Sequence, residues 1–545
     1  MGVREHLGAS AVFLESMRKE LAALSRETLI YGASTVVGRF LNFLLVPFYV
    51  NVLHSTSEYG ISSVLYTWIA FLNVIYPLGL EGAYFRYASR GENETSIGAN
   101  ESRLFSGSFN LILVFGAFLS LVFYFIAPTI APTLFYDPKT NISEMLPMLI
   151  RITRYSALIL LFDGLSVLPF ADLRLEHQAK KFAGIKLTTI CLTLILNFVL
   201  ILGFHFGVEG IFVANLIASA VQLMLLTPVI VRKYGFRVSG IGFRKSAPLT
   251  PNTQHLTPTR YPRKMLTFGL TNVPAYLGAM MVQVIDRPIV QVYLGLGAVG
   301  VYQANYRMGF IMMVFVSLFE YAWRPFFMRQ HKTDDARARE LFSRVFTYFM
   351  LVALVAFLLL SFFLPYILST PVFGRRLLRA DYLSGMSIIP VVLFAYIFQG
   401  AYTNFIAGIY IKERNKTLPF ITGLGALVNV VVNLALIPIL GIMGAALATL
   451  AAYIAMAIAI YIPSQKAYPI KYEWKRVALA ASVVLSTYTI ERILVAGGIV
   501  SGGVIIFAIR IILSLAAIGA LFAFGFFSGR ERAFIRETIG RLRFK

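Results

Sequence analysis

Residues 265–294 read MLTFGLTNVPAYLGAMMVQVIDRPIVQVYL, a stretch of 30 residues that is mostly apolar yet carries Asn272, Pro274, Gln283, Asp286, Arg287 and Pro288. It is long enough to cross a bilayer with some tilt. A charged side chain inside such a span costs about 2.5–3.5 kcal/mol on insertion scales, so Asp286 and Arg287 demand a reason. Adjacent residues diverge by about 100° around a helix, which leaves their mutual pairing open. Pro288 has no N–H to give the carbonyl of Val284. Asn272, Gln283, Asp286 and Arg287 fall near one helical face. Two readings follow: a buried structural ion pair between helices, or a polar wall lining a path through the membrane. The second is favoured.

The surrounding chain has the same apolar character. Its 545 residues are 58% hydrophobic and 14% charged, with mean hydropathy +0.73. No water-soluble fold of this size hides so much apolar surface, so the class is an all-α polytopic membrane protein. Cys191 is a single cysteine and excludes both a disulfide framework and a thiolate metal site. The net charge of +23 sits in short loops beside apolar spans, the distribution that sets orientation and attracts anionic lipid headgroups rather than nucleic acid.

Fourteen spans are predicted, near 28–52, 61–83, 105–127, 147–169, 183–205, 208–231, 265–294, 299–323, 344–368, 383–410, 417–438, 441–463, 476–496 and 503–527. An even count puts both termini on one side. The linker 232–264 holds Arg232, Lys233, Arg237, Arg244, Lys245, Arg260, Arg263 and Lys264 and no acid, so that side is the cytoplasm. Arg375, Arg376 and Arg379 fall on the opposite side and break the rule. Residues 1–27 read as a cytoplasmic amphipathic segment, with Met17 as a plausible true start, and 528–545 as a basic cytoplasmic tail.

The chain repeats itself. Lys180 and Asn197 match Lys416 and Asn433. Gly207-Val-Glu-Gly210 matches Gly441-Ile-Met-Gly444, and Tyr59-Gly60-Ile61 matches Val299-Gly300-Val301. The even spacing predicts two parallel six-span lobes, 28–231 and 265–463, with 464–527 holding two extra spans. Thr28, Thr35, Arg39 and Asn42 form a polar stripe on the first span; Gln303 and Arg307 share a face of the eighth. Equivalent places in the repeat let Arg39 and Arg287 address one cavity, against the simpler possibility that each arginine snorkels or pairs locally. Asp163 and Asp286 are the buried acids suited to charge balance or ion coupling. Tyr396 and Tyr402 with Gln399 suit sugar faces. Glu320 and Arg324 read as a local pair, and Glu491, Arg492 and Arg510 as support. No HExxH, P-loop or GxSxG occurs, six scattered histidines argue against a metal site, and no cofactor is expected.

The chain resembles the polysaccharide exporters, the Wzx-type lipid-linked oligosaccharide flippases of the MOP superfamily. The resemblance rests on Thr28-Leu-Ile-Tyr-Gly32, Gly38-Arg39-Phe-Leu-Asn42, Val46-Pro47-Phe-Tyr49 and Glu58-Tyr59-Gly60. It continues through Gly79-Leu-Glu81, Phe85-Arg86-Tyr87, Asp286-Arg287, Leu294-Gly295, Val299-Gly300-Val301-Tyr302 and the Asn433 to Gly444 element. It departs where Pro288 stands in place of an expected aromatic. The resemblance implies a MATE-like two-lobed fold in the bacterial inner membrane, alternating access, and a polyprenyl-diphosphate-linked glycan as substrate for O-antigen or other polysaccharide export. It also implies membrane lipids, glycan polymerase and export proteins as partners. Arginine matches diphosphate with a planar fork of donors, so Arg39, Arg287 and Arg307, with Asn42, Gln283, Gln399 and Tyr402, are the expected substrate contacts. The alternatives are a MATE-like drug or cation antiporter, which wants an acidic cavity, a peptidoglycan-precursor flippase, and a membrane enzyme, which wants a large external loop.

Overall fold

The computed structural model describes residues 32, 37–38, 40–41, 43–88, 97–234, 260–333, 335–372, 375–498, 503–529 and 531–532. The segment 1–27 with Met17, the first-span residues Thr28, Thr35, Arg39 and Asn42, most of the basic linker and the tail beyond 532 lie outside the described residues.

Among the described residues, thirteen helices are long and apolar enough to cross a membrane, and each coincides with one predicted span from the second to the fourteenth. The first span is represented by α1, Phe43–Val52. The second is α2 (Thr56–Ile75) and α3 (Leu80–Ala88), interrupted at Pro77, Leu78 and Gly79. Then follow α4 (Ile97–Leu134), α5 (Leu146–Leu175), α6 (Ala179–Phe198, ending in a π-helical turn) and α7 (Gly207–Lys233). The seventh span is α8 (Arg260–Val284) with α9 (Asp286–Leu294); the eighth is α10 (Leu296–Met308) with α11 (Phe310–Thr333). The chain continues with α12 (Asp335–Ser369), α13 (Ile389–Ile411), α14 (Leu418–Leu440), α15 (Ile442–Ala467), α16 (Trp474–Ala496) and α17 (Gly503–Ala523). Between α12 and α13, a two-residue antiparallel pair joins Pro371–Val372 to Arg375–Arg376.

Local chemistry places the ends. Ser55 caps α2: its Oγ accepts from the Glu58 N–H at 3.2 Å, while Glu58 returns a carboxylate oxygen to the His54 N–H. Prolines in the first turn open α5, α13 and α14.

The chain forms two compact units, Met1–Gln303 and Ala304–Lys545. In the first, Leu80, Tyr84, Phe105, Ile112, Leu168 and Met265 make one apolar cluster. In the second, Trp323, Phe327, Phe342 and Tyr468 do the same. Within the first unit α2 and α10 cross at the two repeat-matched glycines. A Cβ on Gly60 would lie 1.9 Å from the carbonyl of Leu296, and one on Gly300 would lie 2.0 Å from the carbonyl of Thr56. Each glycine thus meets the carbonyl four residues before the other, the reciprocity of a local two-fold axis, and no side chain fits at either place.

The second sequence match is also structural. Gly207 and Gly441 both take positive φ, at +54° and +61°, where α7 and α15 begin. Gly210 packs on Leu200 and Ile201, and Gly444 on Leu436 and Ile437, the same two places 236 residues later. Asn197 and Asn433 each donate Nδ2 to the carbonyl four residues back, at 2.7 and 2.8 Å.

Candidate functional site

Residues 265–294 fall on two helices. α8 ends at Val284, the residue whose carbonyl Pro288 cannot serve, and α9 starts at Asp286. The single polar face is therefore interrupted. Asn272 turns its amide onto the Phe268 carbonyl at 2.9 Å, and Gln283 is exposed. Asp286 and Arg287 go inward instead. Arg287 Nη1 donates to Asp286 Oδ1 at 2.8 Å and to the carbonyl of Gln283, and Arg287 Nε donates to Gln303 Oε1 at 2.9 Å. The Tyr302 hydroxyl donates to the other Asp286 oxygen. Arg287 is 5% exposed and Asp286 1%. In this conformation the geometry is that of the structural ion pair: both charges are compensated by neighbours from α9 and α10. Gly295, at φ +89°, turns the chain between those helices, and the Leu296 N–H there donates to Asp137 Oδ2 at 3.0 Å.

Arg307 is placed differently. It lies in the last turn of α10, two residues before the helix breaks at Gly309, is half-buried, and among the described residues makes no hydrogen bond or ion pair. Gln303, its expected companion, is committed to Arg287 in the first unit.

On α13, Gln399 is half-buried and its side-chain oxygen has no hydrogen-bond partner among the described residues. Tyr402, one turn on, is half-buried and within electrostatic reach of Tyr410, Glu320 and Arg324. The local pair expected between Glu320 and Arg324 does not form. Arg324 instead donates to the Tyr410 hydroxyl at 2.8 Å with its guanidinium 4.8 Å from that ring, because the aromatic face satisfies both its charge and its plane. Tyr396 is buried among Tyr306 and Tyr453, its hydroxyl 3.4 Å from that of Tyr306.

Asp163 on α5 accepts from Ser219 Oγ at 2.8 Å and is hydrogen-bonded by Asn73. Lys186 on α6 lies within electrostatic reach of it. Lys186 is not among the expected site residues, although it stands inside a predicted span, where any ionisable residue warrants a functional hypothesis. Asp172, fully buried, is held by Lys233 Nζ at 2.9 Å and the Tyr84 hydroxyl at 2.8 Å. Between the last two spans Arg510 Nε meets Glu491 Oε1 at 2.7 Å, a supporting pair. Arg379 folds onto Asp381 at 2.9 Å. Among the described residues no three His, Cys, Asp or Glu side chains group as metal ligands.

Residues 24–331 match the family model described as polysaccharide biosynthesis protein. An uncharacterized membrane protein of Methanocaldococcus jannaschii is 24% identical over 429 residues, covering 76% of this chain and 80% of that one. Among solved structures, the lipid II flippase MurJ in an inward closed conformation superposes with TM-score 0.69 at 16% identity, over 94% of this chain and all of that one. An inward-facing multidrug resistance MATE transporter of the MOP superfamily gives 0.61 at 13% identity, over 84% and 96%. A MOP superfamily transporter from Pyrococcus furiosus, described as having a reverse polarity of its binding pocket, gives 0.56 at 13% identity over the same shares. These structures establish a MATE-like fold.

Proposed function

The chain belongs to the polysaccharide biosynthesis protein family, and on that footing we propose that it is a flippase moving a polyprenyl-diphosphate-linked oligosaccharide from the cytoplasmic to the outer leaflet of the inner membrane. The observation that carries this reading is half-buried Arg307, whose guanidinium has no hydrogen-bond or ion-pair partner among the described residues. A cation left without a counter-ion in a membrane protein is costly unless a ligand or water compensates it. A diphosphate supplies two negative charges and the acceptor geometry that a guanidinium fits in bidentate fashion.

In this reading Arg307 grips the diphosphate. Gln399 and Tyr402 contact the sugars, the first with a free amide oxygen and the second with an aromatic face. Gln283 stands at an exposed position for a further glycan contact. Arg287 joins only in a conformation that releases it from Asp286 and Gln303; otherwise it braces the two helices. The polyprenyl chain stays in lipid. Moving the anion outward across an inside-negative membrane is favourable by roughly 2.3 kcal/mol per charge per 100 mV, so the potential assists the loaded step. Both termini are cytoplasmic, and a glycan polymerase and export proteins receive the product.

A second reading, flipping of a peptidoglycan lipid precursor, draws on the fold shared with a lipid II flippase. Reconstitution tests both. Proteoliposomes carrying a polyprenyl-diphosphate oligosaccharide are challenged with an external glycan oxidase, and wild-type protein is expected to expose glycan that Arg307→Ala leaves protected, with a rate loss of tenfold or more. Competition by the peptidoglycan precursor at equal concentration decides for the second reading. No exposure of either lipid overturns the assignment.

A further inference from the structure

The first unit holds a polar side-chain cluster that the diphosphate chemistry does not use. Asp163 of α5 points at α7, where Ser219 Oγ donates to Oδ1 at 2.8 Å, and Asn73 of α2 adds a second hydrogen bond. These are hard oxygen groups of the sort that coordinate alkali and alkaline-earth cations. Asp163 is half-buried. The ammonium of Lys186, from α6, sits 4.3 Å from the centre of the Phe170 ring. Phe170 is seven residues after Asp163, two turns along the same face of α5. Lys186 therefore occupies the side of the helix that Asp163 occupies, within electrostatic reach but not as a direct ion pair. The other charges facing Lys186 are Arg174 and Glu81, which bond to one another. The cluster is thus neutral with no added ion: one carboxylate, one ammonium, and a closed pair.

We propose that Lys186 is a tethered cation, supplying at Asp163 the positive charge that a free sodium ion would otherwise bring. The wild-type cluster then takes no sodium, and removing the lysine charge converts it into a sodium site built from Asp163, Ser219 and Asn73. An ammonium on a four-carbon stem suits this role, since it is compact, movable and held near the site by the Phe170 face.

The test needs no transport, so it succeeds or fails independently of the glycan assignment. Full-length protein in detergent is melted in sodium chloride and in choline chloride at equal ionic strength. Wild type and Lys186→Arg are expected to melt within 1 °C in the two salts. Lys186→Ala and Lys186→Met are expected to gain several degrees in sodium, saturably, and adding Asp163→Asn should erase the gain. If either neutral variant reaches the membrane only in sodium medium, that dependence counts as the same result. A sodium-specific gain in wild type that Asp163→Asn abolishes overturns the proposal, as do neutral variants that fold equally well in both salts.

Discussion

The two units solve the same problem with different chemistry. The first buries formal charge: Asp172, Lys233, Asp286 and Arg287 are all inside, each beside an opposite partner. From Ala304 to Glu473 the buried polar side chains among the described residues are amides and hydroxyls, among them Asn404, Asn429, Asn433, Thr449 and Ser464. Among the described residues, buried charge returns with Glu491 and Arg510 in the last two helices. Yet the scaffolds correspond, down to the positive φ of Gly207 and Gly441 and the side-chain bonds of Asn197 and Asn433. In the repeat, Asp172 belongs to the first copy and Asp286 and Arg287 to the second, on spans that do not correspond, so a repeated backbone does not dictate where charge is buried. Where charges are already compensated, they cannot add net binding energy for an anion without first being released. Arg307, which makes no ion pair among the described residues, needs no such release.

The hardest test of this contrast is to break a pair. Arg287→Met alone strands the Asp286 carboxylate and is expected to cost about 3–5 kcal/mol, seen as loss of the monodisperse peak in size exclusion. Asp286→Asn with Arg287→Met removes both charges and should restore most of the folded yield; full tolerance of the single change would mean the first unit does not depend on pairing. Arg307→Ala is the counterpart in the second unit. Its melting temperature should stay within about 1 °C of wild type while glycan export in a complemented deletion strain falls tenfold or more, corresponding to about 1.4 kcal/mol or more of lost phosphate contact, and Arg307→Lys should recover only part because it lacks the fork.

Smaller effects sharpen the likeness beneath the contrast. Asn197→Ala and Asn433→Ala each delete an amide bond to the preceding turn and should each cost about 1 kcal/mol in denaturant unfolding. The two costs should be similar, since each side chain makes one further bond: Asn197 accepts from the Tyr49 hydroxyl and Asn433 donates to Asn429 Oδ1, both at 2.9 Å. The least effect belongs to Glu531, outside the spans. Burial raises its carboxyl, but the Tyr348 hydroxyl, the Ser528 N–H and hydroxyl, and Arg476 outweigh this and hold it down to about 2. Its folded value lies below the ordinary value of about 4.3, so its contribution is complete above that pH and fades as pH falls toward 2. Glu531→Gln should lower the melting temperature slightly at pH 7, an effect of about 0–1 kcal/mol, and the gap to wild type should close at acid pH.

Much of this was legible in residue order. Apolar run length located every described span, and the glycine and asparagine matches located the repeat, because both are local properties of a membrane helix. Pro288 announced a break in the seventh span. What the run could not disclose was where the freed charges turn. Arg287 reaches Gln303 and Asp286 reaches Tyr302, each 16 residues on, and those meetings depend on the bend at Gly295. Arg324 likewise chose Tyr410, a residue of another helix, over Glu320 on its own. Lys186 was visible, but its relation to Asp163 required the packing of α5 and α6.

The most direct measurement is the affinity of purified protein for a short-chain polyprenyl diphosphate in detergent, compared among wild type, Arg307→Ala and the double variant Asp286→Asn with Arg287→Met. The account predicts binding at least tenfold weaker in Arg307→Ala and close to wild type in the double variant. Equal affinity in Arg307→Ala, with the loss falling on the double variant instead, would contradict it.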